Sequence, residues 1–329
     1  MKGKNRKTNV TFEPGYFSGL FEQFIRYKQG LGYTYGYHIR KALSALNCKL
    51  NLLDTGGPIL TRETVEHLVT HHGDEASATQ VKRAALLRHF AEFMIDMGYE
   101  AYVYPLHCSR ITYDSFSPYI FSYEQMAAII KASDSLPSSA KSPRYHIVWP
   151  AFVRILYCCG LRLSEALNLR VDDVDFEKGT LYIEKSKNGT SRYVPVSASL
   201  HNYLKSYALK AELSENEDIY LFPASDGGHY SPNTAYDRIK SIYLKAGIPR
   251  LSNGRLPRIH DVRHSYSCHA LEKMQQKGYD LYYSLPILSA YLGHQGIRET
   301  ERYLHLPQFR HDELSSIPEL SGVIPEVDC

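Results

Sequence analysis

The segment LRVDDVDFEKGTLYIEKSKNGTSRYVPVS, residues 169–197, decides the fold class of this chain. It contains three short runs that favour β-structure, and turn residues separate them at Lys178-Gly179 and Asn188-Gly189. Asn-Gly between two such runs is a strong hairpin signal, because both residues tolerate the positive φ of a tight turn. The segment therefore predicts a small antiparallel sheet, and the helical periodicity on both sides of it predicts a mainly α chain.

The first hundred residues have the periodicity of helices. In YFSGLFEQFIRYKQGLG, residues 16–32, apolar side chains recur every three or four positions, and Gly30 and Gly32 end the pattern. Three further segments have similar patterns: YHIRKALSALNCKLNLL, TRETVEHLV and SATQVKRAALLRHFAEFMIDMGY. Together they predict a compact four-helix module.

A stretch with poor helical character follows this module. Residues 99–121 lose the helical period and contain Pro105, Pro118 and several aromatic residues. We therefore predict a helical domain over 1–104, a linker over 105–121, and a second domain over 122–329 that is helical apart from the sheet.

Composition is that of a globular protein in a reducing compartment. The chain has 329 residues, of which 43% are apolar, and no apolar run could span a membrane. The N-terminus MKGKNRKTNV has no apolar stretch behind it, so a secretory signal is not expected. The six cysteines show no metal-ligand spacing, and we see neither a Walker loop nor a carboxylate cluster for Mg²⁺. We expect a cytoplasmic protein that needs no cofactor and no metal, and that does not associate with membranes.

Local charge is more informative than the net charge of +3. Seven basic residues and one acid, Asp261, lie between Arg238 and Arg263. A solvated surface would explain such a run. A strip that binds phosphates is the alternative.

Two segments carry arginines in suggestive places. Arg162 precedes a predicted helix start in GLRLSEALNL and follows apolar residues, so its guanidinium should be half-buried and need an anionic partner. In IHDVRHSYSCHALEKM, a helix would place His260, Arg263 and His264 on one face. Taken alone, Arg162 reads as a surface arginine and His264 as a core histidine.

Two further segments complete the set. Lys187 precedes the predicted Asn-Gly turn, and LGHQGIRETERYLHL contains His294 and, beyond an expected break at Gly296, Tyr303. Turn lysines are common, and any one of the 27 tyrosines is more often a packing residue than a nucleophile. Together, however, two arginines, a lysine, two histidines and a tyrosine suit a displacement reaction at a phosphate, because arginine forks match phosphate oxygens. A phenol with a pKa of ~10 is only about 0.1% ionised near pH 7, so its attack needs a base or a strong positive field.

In order and spacing, these segments resemble the tyrosine site-specific recombinases of the phage integrase family, over nearly the whole chain. GLRLSEALNL resembles the first arginine box, KSKNGTSRYVPV the lysine hairpin, HDVRH the second box, and LGHQGIRETERYLH the final histidine and nucleophile segment. The resemblance implies an N-terminal four-helix, SAM-like core-binding domain and a C-terminal α+β catalytic domain. It also implies metal- and ATP-independent cleavage of DNA through a 3′-phosphotyrosine.

The resemblance assigns a role to each matching position. Arg162 and Arg263 would clamp the scissile phosphate, Tyr303 would attack it, and His294 would hydrogen-bond it. Lys187 would protonate the departing 5′ oxygen, with Lys185 as the fallback if the hairpin register slips. His260 would take part in proton transfer from the tyrosine. Glu165 would support Arg162 without contacting the phosphate, and His264 would be the supporting histidine of the second box.

The implied partners are double-stranded DNA with specific recombination sites and further copies of this chain, in a synaptic tetramer. The tail after Tyr303 has a modest apolar stripe of Phe309, Leu314 and Ile317, which we expect to pack on a neighbouring subunit. The segment before the first helix is short, so no separate arm-binding domain is expected.

The extra segment QQKGYDLYYSLPILS between the second box and His294 favours a recombinase of a mobile element. A chromosome-dimer resolvase, an enzyme like the type IB topoisomerases and a DNA-binding protein without catalysis are the alternatives.

Overall fold

A computed structural model of the chain describes residues 10–53, 55–70, 73, 75, 77–105, 118–138, 144–184, 191–213, 219–301 and 303. The chain divides into two compact units, residues 1–116 and 117–329. The described elements are mostly helices, with one small antiparallel sheet, which confirms the predicted fold class. Among the described helices, none combines the length and apolar character that crossing a membrane requires.

The first unit contains the four helices that the periodicity predicted: α1 Ser18–Gly30, α2 Tyr37–Leu52, α3 Arg62–Val69 and α4 Ser77–Asp96. Its core is aromatic. The ring of Phe90 stacks on Phe21 with centroids 4.2 Å apart and meets Phe24 edge-on at 5.4 Å. Such pairs are favourable beyond the area they bury, so they fix the contact between α1 and α4.

The second unit contains eight helices within the described residues: α5 Tyr123–Asp134, α6 Tyr145–Cys158, α7 Leu163–Asn168, α8 Ala198–Lys210, α9 Pro232–Lys245, α10 Ile259–Gln276, α11 Leu281–Leu292 and α12 Arg298–Glu301. Most of the predicted linker, residues 106–117, lies outside the described residues. Its last residue, Phe121, is buried in the core of this unit. The backbone N–H of Phe121 donates to the hydroxyl of Ser265 at 2.8 Å.

Three antiparallel strands form the predicted sheet in the order β1 Val174–Asp175, β2 Thr180–Ile183 and β3 Arg192–Pro195. The strands β2 and β3 pair in antiparallel fashion, as a hairpin requires. The predicted Asn188-Gly189 turn lies outside the described residues. Leu181 lies opposite Val194, and both are fully buried against the core. This register places Arg192 at the start of β3, next to the segment that carries Lys187.

Helix α10 runs through the core of the second unit and is buried around most of its circumference. Asp261 caps the start of this helix, because its carboxylate accepts a hydrogen bond from the backbone N–H of Arg258 at 2.7 Å. Several of its buried residues are polar, and buried polar groups require partners. The buried polar residues of α10 are Asp261, Arg263, His264, Ser265, Ser267, His269 and Lys273.

Candidate active site

Glu165 lies at the centre of a cluster of three arginines. Its carboxylate accepts hydrogen bonds from Arg162 at 2.9 Å and from Arg192 at 3.1 and 2.9 Å, and it lies 3.9 Å from Arg263. Its side chain is only 3% exposed. Burial by itself would raise the pKa of this carboxyl, but the hydrogen bonds and charges of Arg192, with the Arg162 N–H and Arg263, hold it below the usual value. Glu165 is therefore an anion that keeps three guanidinium groups together.

The sequence around Glu165 builds this cluster locally. Arg162 is the residue before α7, and its backbone N–H donates to the carboxylate of Glu165, three residues on, at 3.0 Å. This reciprocal arrangement at a helix start is a capping box. The predicted helix start at Arg162 is thus confirmed, and Glu165 supplies both the cap and the ion pair.

Arg162 and Arg263 also bind the same turn of backbone. Arg162 donates to the carbonyl of Gly293 at 3.0 Å, and Arg263 donates to the carbonyl of Leu292 at 2.7 Å. Arg263 is 1% exposed and also donates to the carbonyl of Gly160 at 2.7 Å. Its pKa is lowered to about 10, chiefly by burial and then by repulsion from Arg162, so it stays charged near pH 7. Two residues 101 positions apart in the sequence therefore face one point just before His294.

Two glycines make this backbone arrangement possible. Gly160 has φ +56° and Gly293 has φ +67°, which are left-handed values that favour glycine. A Cβ at Gly160 would lie 2.4 Å from the ring of Tyr266, and one at Gly293 would lie 2.8 Å from the guanidinium of Arg192. Gly293 ends α11, and Gly296 lies in the non-helical stretch between α11 and α12, where the sequence predicted a break. The left-handed cap at Gly293 is the physical reason.

Tyr303 is buried beside this cluster, with an exposed fraction of 2%. Its hydroxyl oxygen lies 3.0 Å from Nδ1 of His264. Its ring also stacks with His294 at a centroid distance of 6.4 Å. The structure therefore brings together Tyr303, His294 and the HDVRH box.

His260 and His264 form a pair one turn apart on α10, with ring centroids 4.7 Å apart and planes nearly perpendicular. His260 is partly exposed to solvent, whereas His264 is 5% exposed. Partial burial of the ring, and then the charges of Arg263 and Arg258, lower the pKa of His260 to about 4. His260 is therefore neutral near pH 7.

His294 is oriented by a residue that the sequence reasoning missed. Its Nδ1 lies 2.8 Å from the hydroxyl of Thr300, which is fully buried. When that hydroxyl donates to Nδ1, the ring proton of a neutral His294 is on Nε2, where it can be donated to an anion. The sequence signal was present: Thr300 lies six residues after His294 within the same turn-rich segment.

Arg192 is the second residue that the sequence reasoning missed. Besides its two hydrogen bonds to Glu165, its Nε donates to the carbonyl of Tyr291 at 2.8 Å. It therefore joins β3 both to α7 and to the end of α11. The available signal was an arginine in the strand-forming run RYVPV, which follows the predicted Asn-Gly turn.

Some of the predicted site residues lie in parts of the chain that the structure does not describe. Lys187, its alternative Lys185 and the tail stripe of Phe309, Leu314 and Ile317 lie outside the described residues. Within the described part of the chain, no three His, Cys, Asp or Glu side chains are grouped so that they could hold a metal ion.

The chain is similar to one protein family and to several known proteins. The model of the phage integrase family matches residues 120–309. A protein of Sinorhizobium fredii named as an integrase/recombinase, y4rB, is 25% identical over 88% of this chain and 92% of its own length. The tyrosine recombinase XerA of Pyrococcus furiosus is 32% identical over 46% of this chain and 48% of its own length.

A solved structure of the XerH site-specific recombinase, bound to palindromic difH substrate in a post-cleavage complex, has the same fold. Its TM-score is 0.64 at 22% identity, covering 86% of this chain and 80% of that one. The family match extends over more than half of the chain and includes all four of the boxes described above. The chain therefore belongs to the phage integrase family of tyrosine recombinases, enzymes that break and rejoin DNA.

Proposed function

We propose that this protein is a site-specific DNA recombinase that cleaves and rejoins DNA through a 3′-phosphotyrosine formed by Tyr303. The observation that carries the proposal is the convergence of Arg162, Arg263, His294 and Tyr303. Both arginines bind the carbonyls that immediately precede His294, and the ring of Tyr303 stacks on that histidine. These residues come from three separate segments, so their convergence is a property of the fold.

Each side chain has a distinct task in the proposed reaction. The two guanidinium groups bind the non-bridging oxygens of the scissile phosphate, and His294 donates a further hydrogen bond to it. Tyr303 attacks the phosphorus, and Lys187 protonates the 5′ oxygen that leaves. The pair of His260 and His264 supplies the proton acceptor for the tyrosine. Because the phosphotyrosine keeps an ester bond, a 5′ hydroxyl can reverse the step without ATP.

The basic run from Arg238 in α9 to Arg263 in α10 fits the proposed contact with the DNA backbone. Six of its seven members are exposed, whereas Arg263 is buried in the site. Exposed lysines and arginines neutralise phosphates without reading the sequence. The exposed members are Arg238, Lys240, Lys245, Arg250, Arg255 and Arg258.

We further propose that the recombination sites flank a mobile element that encodes this protein. In support, the relative matched over nearly its whole length is named as an integrase/recombinase. A chromosome-dimer resolvase of the same family is the second candidate. In either role the protein would act as a tetramer that holds two DNA sites together.

The test uses nicked half-site DNA from the flanks of the gene that encodes this chain. The wild-type protein and Tyr303→Phe are incubated with the DNA, and covalent adducts are separated on a denaturing gel. We expect a 3′ adduct with the wild type only, and only on DNA that contains the site. Covalent adducts on any plasmid would indicate an activity like that of topoisomerases. The absence of adducts with the wild-type protein, both on the flanks and on chromosomal DNA remote from the gene, would reject the proposal.

A second substrate set separates the two candidates. DNA from the flanks of the gene should recombine if the element is mobile. Recombination at one chromosomal locus remote from the gene, and not at the flanks, would favour the resolvase.

A further inference from the structure

We infer that His264 is the catalytic base that removes the proton from Tyr303. The inference rests on the proposed function of Tyr303 and goes beyond it, because the sequence reasoning gave His264 only a supporting role. The direct contact is the 3.0 Å hydrogen bond between the tyrosine hydroxyl and Nδ1 of His264. This distance lies within the range that proton transfer between a nucleophile and its base requires.

The position of His264 on α10 explains why it can do this beside the phosphate clamp. Consecutive helix residues point about 100° apart around the axis. Arg263 therefore points to the carbonyls of Gly160 and Leu292, while His264 points to Tyr303. One helix turn thus supplies a phosphate ligand and a proton acceptor to the same site.

Burial makes a direct acceptor necessary. Tyr303 is 2% exposed, and a buried phenol loses its proton less readily than one in water, because burial disfavours the charged form. Bulk water therefore cannot easily take the proton. A neutral imidazole that accepts at Nδ1 carries its own proton on Nε2, so it can take a second one.

The neighbouring charges are compatible with this role. His260 contacts the ring of His264, and its low pKa keeps it neutral near pH 7, so it adds no charge that would oppose protonation. The negative charge that develops on the phosphate compensates the imidazolium and the two arginines. His260 thus assists by packing, and the hydroxyl proton goes to His264.

The step balances as follows. The bond between Tyr303 Oη and phosphorus forms, the bond between phosphorus and O5′ breaks, and the phenolic proton moves to Nδ1 of His264. The departing O5′ takes a proton from the general acid, for which we propose Lys187. In rejoining, a 5′ hydroxyl gives its proton to the deprotonated general acid and attacks the phosphotyrosine, and His264 returns its proton to the departing phenolate.

The first test is His264→Asn, because the amide oxygen of Asn can accept a hydrogen bond near the position of Nδ1 but cannot take the proton. We expect single-turnover cleavage of the half-site to fall ~10²- to 10⁴-fold, the usual contribution of an acid or base. Replacing Tyr303 by a ring-fluorinated tyrosine, whose phenol is more acidic, should restore much of the rate in His264→Asn. A substrate with sulfur at the 5′ bridging position, which leaves without a proton, should rescue Lys187→Ala but not His264→Asn.

His269→Asn is the matched control. His269 is buried on the same helix, and its Nδ1 lies 2.8 Å from the hydroxyl of Tyr157. This variant loses a comparable buried contact between a histidine and a tyrosine, but Tyr157 is not the proposed nucleophile. We expect a similar loss of thermal stability, but cleavage by the folded protein within a few-fold of the wild type.

Three outcomes would overturn the inference. They are cleavage by His264→Asn at the wild-type rate or faster, an equal loss in His269→Asn, and rescue of His264→Asn by the sulfur substrate. If His264→Asn does not fold, the fluorinated tyrosine is placed in the protein with His264 intact. In that protein, fluorination should change the cleavage rate by a smaller factor than it changes the ionised fraction of the phenol. A change in rate proportional to the ionised fraction would exclude a base.

The two proposals fail in different ways. If the wild-type protein forms no adduct, the proposed function is wrong. If it forms the adduct and only the His264 results disagree, then the base alone is misassigned.

Discussion

Arg192 binds Glu165 through both terminal nitrogens, at 3.1 and 2.9 Å, and this pair joins the strand beside the lysine hairpin to the box that holds Arg162. Arg192 is 9% exposed, and Glu165 is 3% exposed. Removing one partner of a buried pair typically costs about 3–5 kcal/mol, because the other charge is left uncompensated. Under the proposed function, Arg192 is therefore a residue that positions Arg162 through Glu165.

We predict that Arg192→Lys lowers cleavage at least tenfold while the protein still binds its DNA, since lysine cannot make the two-point contact. Single-turnover rates and a DNA mobility shift measure the two effects. A double-mutant cycle with Glu165→Gln should show a coupling of at least about 1 kcal/mol in unfolding free energy. Additive effects in the cycle would mean that the pair does not act as a unit.

Glu165 should make the stability of the second unit depend on acid. Its pKa in the folded protein is below the usual 4.5, so the unfolded chain binds the extra proton. Its stabilising contribution is therefore complete above pH 4.5 and is lost as the pH falls through the lower, folded-state value. We expect Glu165→Gln to be less stable at pH 7 and to lose less stability on acidification, as measured by urea unfolding. An unchanged acid slope would contradict this.

His260 should titrate well below an ordinary histidine. Its pKa of about 4 compares with the usual 6.5, so between these values only the unfolded chain takes up the proton. Stability should thus fall as the pH decreases from 6.5 to 4. NMR titration of the ring protons measures the value directly. Binding of DNA or inorganic phosphate should raise the pKa of His260, because an anion offsets the charges of Arg263 and Arg258, and a lowered value would place the phosphate elsewhere.

Arg263→Lys should separate catalysis from stability. Lysine cannot bond both carbonyls and also present a fork to the phosphate, and losing such a donor typically costs ~10²- to 10³-fold in rate. Arg154→Lys is the matched control, because Arg154 is buried and pairs with Asp134 at 2.7 and 2.8 Å. We expect both variants to melt at lower temperature, but only Arg263→Lys to lose cleavage in single-turnover assays of the folded protein. Equal losses of cleavage would assign Arg263 a purely structural role.

Gly160→Ala should strain the backbone that holds Arg263. The left-handed conformation costs about 1–2 kcal/mol for an L-residue. The new Cβ would also meet the ring of Tyr266 at 2.4 Å, which forces Gly160 and its carbonyl to shift. We expect a drop in the free energy of unfolding together with slower cleavage, because that carbonyl holds Arg263. Gly19→Ala, on α1, meets no neighbour within 4 Å and should be neutral or stabilising.

The sequence by itself determined the elements and their chemistry. The periodicity of residues 1–99 predicted four helices, and the alternating runs around residues 169–197 predicted the sheet. The boxes named residues that the structure brings together, except Lys187, which lies outside the described residues. These predictions succeed because helix faces, strand alternation and capping residues are local properties. Arg162 and Glu165 lie three residues apart, so even their ion pair could be read from the sequence.

Only the tertiary structure decided which atoms meet. Arg192 and Glu165 are 27 positions apart, and His264 and Tyr303 are 39 apart, so no local pattern could show their contacts. The sequence grouped His260 with proton transfer, whereas the packing of α10 turns His264 to the hydroxyl of Tyr303. The physical reason is that a helix face fixes the direction of a side chain only relative to its own axis. The partner that it reaches depends on how distant segments pack in the core.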